Sequence, residues 1–103
     1  MSTKKSSAIK KLEKMRGGPL SFGKMIESIR KADEISQVEL ASKMNISKAH
    51  LCDIEKGRRT VSLSRAVEFA QILGYSPIVF VSILLEDMVR EAGLAVKVTL
   101  KSA

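Results

Sequence analysis

Tryptophan is absent from this chain of 103 residues, and aromatic side chains of every kind make up only 4% of it. A core built from such a sequence has to be filled by Leu, Ile, Val, Ala and Met. That methyl-rich stock suits a small helical bundle better than a β-sandwich. Cysteine and histidine occur once each, as Cys52 and His50. A single thiol excludes an internal disulfide, and the two residues offer no zinc-ligand spacing. Such thiol usage fits a reduced, cytosolic setting. No Ser–His–Asp or Cys–His arrangement and no glycine-rich phosphate loop can be laid out along the chain, so no enzyme, cofactor site or metal site is expected. Long apolar runs are also missing. The longest, from Ile78 to Leu85, is broken by Ser82 and is far too short to cross a bilayer. The basic N-terminus has no continuous apolar stretch behind it, so no signal peptide is expected.

Positive charge is what the chain has in excess. The formal net charge is +7 and the pI is near 9.8. Most of the excess lies at one end, where Lys4, Lys5, Lys10, Lys11, Lys14 and Arg16 stand against a single acid, Glu13. A basic segment beside a nearly balanced domain favours a polyanionic partner, either nucleic acid or an anionic membrane surface. The plain alternative is a solubilising tail. Residues 1–6 are polar and read as disordered. In the next stretch Ile9, Leu12 and Met15 recur at helical spacing, until Gly17-Gly18-Pro19 breaks the pattern. The expected organisation is a basic, flexible arm over residues 1–18, a domain over 19–75, and a C-terminal segment over 76–103. Hydrophobic residues reach 45%, enough for a small core. A chain this short still buries only about two-thirds of its unfolded surface, so self-association is a natural source of stability.

Helical periodicity begins at Ser21, a good N-cap, with Phe22, Ile26 and Ile29 on one stripe. A second helix opens at Ser36 or Gln37, with Leu40, Ala41 and Met44 inward and Glu39 at capping-box spacing. Asn45 falls where the chain must reverse, and asparagine tolerates the left-handed conformation better than other non-glycine residues. A third helix starts after Ser47 and ends at Gly57. The fourth follows Ser62 and buries Leu63, Ala66, Val67, Ala70 and Leu73 before Gly74. Ser76-Pro77, a cap followed by proline at the first helical position, opens a fifth that runs to about Glu91. Beyond Gly93, Leu94, Val96, Val98 and Leu100 alternate with Ala95, Lys97 and Thr99. That is strand periodicity. With no second strand in the chain, its partner is expected to be the same strand of another subunit.

Placed on a helix at about 100° per residue, residues 48–55 divide into two sides. Leu51 and Ile54 point to a core. Ala49, Cys52 and Asp53 point away, with Lys48 at a margin and His50 and Glu55 at the boundaries. This outer side is small and polar and begins just past the helix N-terminus. A helix that inserts its first residues into a DNA major groove needs such a side. Ala41, in the preceding helix, fits a close crossing over a short turn.

The run QVELASKMNISKAHLCDIEKGRR, preceded by FGKMIESIRK, resembles the Cro/cI-like (XRE) helix-turn-helix domain over residues 22–75, about half of the chain. The resemblance implies an all-α, lambda-repressor-like fold and a DNA-binding regulator; with the strand read from alternation, the expected architecture is five helices and a short C-terminal β-strand. Two positions depart from the family pattern: Asn45 stands where glycine is usual, and Val61 where proline is common, which should loosen the start of the fourth helix. The resemblance gives Gln37 a DNA phosphate and sets Ser47, Lys48, Ala49 and Asp53 toward the groove floor or its flanking phosphates. It pairs Arg30 with Glu55 as a structural ion pair, and places Arg58 and Arg59 in a loop against the DNA backbone. By their chemistry, Lys48 suits guanine acceptors, Ala49 a thymine methyl, and Asp53 either a cytosine amino group or the repulsion of wrong sites. His50 packs at the helix boundary or meets a phosphate.

Other residues stay with plainer roles. Cys52 is a small neutral side chain at the groove margin, with no charge pattern that would activate it. Ser62 and Ser64 are caps rather than nucleophiles, and Met15, Met25, Met44 and Met88 are core or interface filler. The fifth helix is different, because Ile78, Val79, Phe80, Val81, Ile83, Leu84, Leu85, Met88 and Val89 surround almost all of it. A helix apolar all round is buried on more than one side, and a homodimer interface is the preferred second cover; the alternative is the chain's own N-terminal segment. The expected function is therefore a dimeric, sequence-specific repressor on a palindromic operator. The alternative is an antitoxin that also binds a toxin protein. Membrane association is disfavoured because the basic segment has no aromatic anchor, and RNA binding because no stacking platform exists.

Overall fold

A computed structural model describes residues 20–94 and 97–101. The basic arm, its amphipathic stretch and the Gly17-Gly18-Pro19 boundary lie outside the described residues. Within them the chain forms five helices: α1 (Phe22–Ala32), α2 (Gln37–Met44), α3 (Lys48–Glu55), α4 (Leu63–Leu73) and α5 (Pro77–Glu91). A serine precedes every one. The hydroxyls of Ser21, Ser36, Ser47 and Ser62 accept hydrogen bonds from the backbone N–H three residues on, at 3.0–3.3 Å. Each bond satisfies a donor that the first turn leaves open. Ser76 makes no such bond and is followed by Pro77 at the helix start, where a missing N–H costs nothing.

α4 and α5 pack along one another most extensively, while α1 lies across α3, α4 and α5. At their junction the scarce aromatics converge. The Phe22 ring meets Phe69 and Phe80 edge-on at centroid distances of 6.0 and 6.1 Å, and Tyr75 lies 5.4 Å from Phe80. Composition predicts an aliphatic core. The structure puts three buried phenylalanines at its centre, where one ring replaces several methyl contacts. Around them lie Leu20, Met25, Ile26, Ile29, Leu40, Leu51, Ala66 and Ala70.

Val67 of α4, expected inside, is only half-buried, and two expectations fail outright. Leu63 is 51% exposed, since a side chain at the first helical position leans back past the end of the packed layer. The C-terminal strand is not formed among the described residues. Alternation sets the pleat but supplies no ladder partner, and the described backbone is bonded to helix five instead. The Leu94 N–H donates to the Val89 carbonyl at 3.1 Å and the Val98 N–H to the Glu86 carboxylate at 3.3 Å. Val61, at the position expected to loosen the start of α4, is buried in the core.

Side chains from the C-terminal half of the fold also reach two helix ends. Asp87 of α5 accepts from the Phe22 N–H at 3.0 Å and from Arg90 at 2.9 Å. Arg65 of α4 donates to the Met44 carbonyl at the end of α2, also at 2.9 Å. No helix among the described residues is long and apolar enough to cross a membrane.

Candidate nucleic-acid interface

The turn between α2 and α3 fixes everything that follows it. Asn45 takes the left-handed conformation, φ 57° and ψ 41°, and the next N–H, of Ile46, returns to the Ala41 carbonyl at 3.0 Å. Ile46 packs against the core, so the chain leaves the turn already anchored. Ala41 is buried beneath the crossing, where a larger side chain would lever the helices apart. Ser47 then caps α3 by accepting from the His50 N–H at 3.0 Å.

α3 is eight residues long, and its inward side is closed: Leu51, Ile54 and Glu55 are buried. Glu55 is held by three donors. Arg30 Nε and Nη2 reach its carboxylate at 2.7 and 3.1 Å, and Gln37 Nε2 at 2.9 Å. Arg30 Nη1 continues to the Ile35 carbonyl at 2.9 Å. The network ties α1, the α1–α2 turn, the start of α2 and the end of α3 into one body. Its hydrogen bond to Glu55 holds the Arg30 guanidinium above its ordinary pKa against the opposing effect of burial.

A second contact between α1 and α3 is made by backbone alone. Gly23 faces the last carbonyls of α3 so closely that a Cβ there would collide with the Ile54 oxygen and come within 2.9 Å of the Glu55 oxygen. The sequence does not announce this glycine, because in a helical pattern glycine reads only as a weak position.

The outer side of α3 carries the residues that helical spacing puts there. Lys48 and Ala49 are exposed, and His50, Cys52 and Asp53 are half-buried at the flanks. Ser47 stands at the N-terminal end of this side. Gln37 lies half-buried at the head of α2, with its amide turned to Glu55. Arg59 is exposed and lines a hollow with Val61, Met88 and Glu91. Arg58 departs from its expected place. Its side chain does not run out with the loop but folds back along α3, where Nε and Nη2 meet Asp53 Oδ1 at 3.0 and 2.9 Å. Nothing in the spacing announces this pair, since a long flexible side chain has many ways to turn. Among the described residues no group of acidic, histidine and cysteine side chains could hold a metal ion.

Residues 26–80 match the helix-turn-helix family HTH_3. The immunity repressor protein of Bacillus phage phi105 is 42% identical over 55 residues, which are 53% of this chain and 38% of that protein. The chain thus spans well under half the length of this relative. Among solved structures, the restriction-modification controller protein C.AhdI from Aeromonas hydrophila superposes with a TM-score of 0.52 at 30% identity, covering 54% of this chain and 85% of that one. The clp gene regulator ClgR from Corynebacterium glutamicum gives 0.56 at 25% identity, over 70% and 77% of the two chains.

Proposed function

This chain belongs to the helix-turn-helix family, of the Cro/cI-like (XRE) type, and from that premise we propose that it is a sequence-specific transcriptional repressor occupying operator DNA as a homodimer. The observation that carries this reading is the division of α3. One side is buried without remainder, and the other offers small and polar groups from its first turn onward. A helix presented in this way enters a major groove with its N-terminal residues at the base edges. Lys48 and Ala49 then face the groove floor. Ser47 and His50 lie at its flanks, toward phosphates, while the Gln37 amide is engaged by Glu55 and Arg59 borders the hollow beside α5, so a phosphate role for either requires its side chain to turn outward. The basic residues of the N-terminal arm add attraction to the polyanion. Names of relatives support the same class: one is a phage repressor, and two are regulators or controllers.

Dimerisation is supported by α5. Its inner side is filled by Phe80, Ile83 and Leu84, yet Ile78 and Met88 remain 39% and 49% exposed, with Val81, Leu85 and Val89 half-covered between them. Two copies joined there would read half-sites about one helical turn apart. Repression is then steric and needs no ligand. A regulator that also neutralises a toxin would offer this same face to its partner.

The test is footprinting on the DNA upstream of the chain's own coding sequence, with binding to a scrambled duplex alongside. Two protected half-sites about 10 base pairs apart, with scrambled DNA bound at least a hundredfold more weakly, are expected. Equal affinity for both duplexes refutes the reading. Co-purification of a growth-inhibiting neighbour that this chain silences would establish the antitoxin role.

A further inference from the structure

Asp53 poses a problem for a DNA-facing helix, because a carboxylate on that surface repels phosphate. The structure supplies its counter-ion. Arg58 folds back five residues onto the helix, and both Nε and Nη2 engage a single oxygen, Oδ1, at 3.0 and 2.9 Å. The base of the side chain is held as well, since the Arg58 N–H donates to the Asp53 carbonyl at 2.8 Å. The guanidinium therefore lies along the outer side of α3 and not in the loop. Its side chain is still 59% exposed.

A guanidinium carries five N–H donors in a rigid fork. Asp53 occupies the edge formed by Nε and Nη2. The other edge, formed by Nη1 and Nη2, is engaged among the described residues only by a weak 4.0 Å contact from Nη2 to Cys52 Sγ that a base oxygen would displace. Two parallel donors at a fixed angle match the O6 and N7 acceptors of guanine in the major groove. A freely moving arginine contacts phosphate anywhere, whereas one held by a carboxylate is oriented before it binds and loses less freedom on binding.

We infer that Asp53 is a positioning residue and that Arg58, held along α3 by it, reads a guanine in the major groove. The inference rests on the DNA-binding reading above. It removes Asp53 from direct base contact and moves Arg58 from the phosphate backbone to a base edge.

Selection of binding sites from randomised duplexes, with the full chain and its variants, tests it. Wild type should enrich a guanine at one position of each half-site. R58A and R58K should both lose that preference by about tenfold or more, although R58K keeps the charge, because lysine cannot make the paired contact. D53N should weaken the same preference at the same position, and should have no further effect once R58A is present. Circular dichroism separates these results from misfolding, since both side chains lie on the surface. Three outcomes overturn the proposal. If R58A weakens all sequences equally and flattens the salt dependence by about one counterion, Arg58 binds phosphate. If D53N changes base preference equally with or without Arg58, Asp53 reads the base itself. If wild type enriches nothing, the DNA-binding reading fails and takes the inference with it.

Discussion

Glu55 is a carboxylate at 1% exposure whose three donors come from Arg30 and Gln37. Breaking a buried pair from one side costs more than the pair is worth, because the survivor stays charged without its counter-ion. Glu55→Ala should therefore lower unfolding stability by about 3–5 kcal/mol, measured as a fall in the urea midpoint. Glu55→Gln, which keeps the shape and one acceptor, should lose less. Loss within experimental error for the alanine variant would show that the network contributes nothing. Tyr75 allows a pH test, as the one tyrosine of a chain without tryptophan. Burial, aided by the negative charge of Asp33, pushes its phenol above the ordinary value. The unfolded chain then gives up this proton first, near pH 10, so stability should fall as pH rises from about 10 toward the folded value. Absorbance titration should show the phenolate forming at higher pH in the native chain than in denaturant. Coincident curves would contradict the burial effect.

Helix starts were legible in the sequence for a local reason. Ser21, Ser36, Ser47 and Ser62 bond to N–H groups three residues away, so the signal and the structure lie within one turn. Asn45 was legible because few other residues accept its conformation. Contacts made across the fold were hidden. Alternation over Leu94–Leu100 describes a pleat and cannot state that a partner is missing, and Leu63 obeys the period of α4 while lying beyond the layer it should pack on. The outer side of α3 could be placed by its angle, but the return of Arg58 to Asp53 could not. Gly23 is the sharpest case. Alanine there should gain about 1 kcal/mol of helix propensity, yet its Cβ meets backbone carbonyls of α3 that cannot turn aside. Overpacking of this kind costs about 1–3 kcal/mol. Gly23→Ala should therefore melt at a lower temperature than wild type and bind the operator less tightly, because α1 and α3 are forced apart. A variant more stable than wild type would show that the two helices separate freely.

At the scale of the whole molecule, the side of α5 left open among the described residues is the proposed dimer contact. Ile78→Asp places an acid in the first turn of that helix, where the dipole favours it, so the fold should survive while an apolar contact is lost. Sedimentation should find wild type at twice the chain mass and the variant at one. A wild type already monomeric at micromolar concentration would remove α5 from that role.

An eight-residue helix is too short to persist alone in water, and α3 is eight residues long. What keeps it wound is borrowed: the core over Leu51 and Ile54, a serine at its head, a glycine of α1 against its last carbonyls, and a buried arginine gripping its final carboxylate. The surface assigned to reading bases has no lifetime of its own. Warming cannot blur its sequence preference by degrees; discrimination and fold disappear in the same transition.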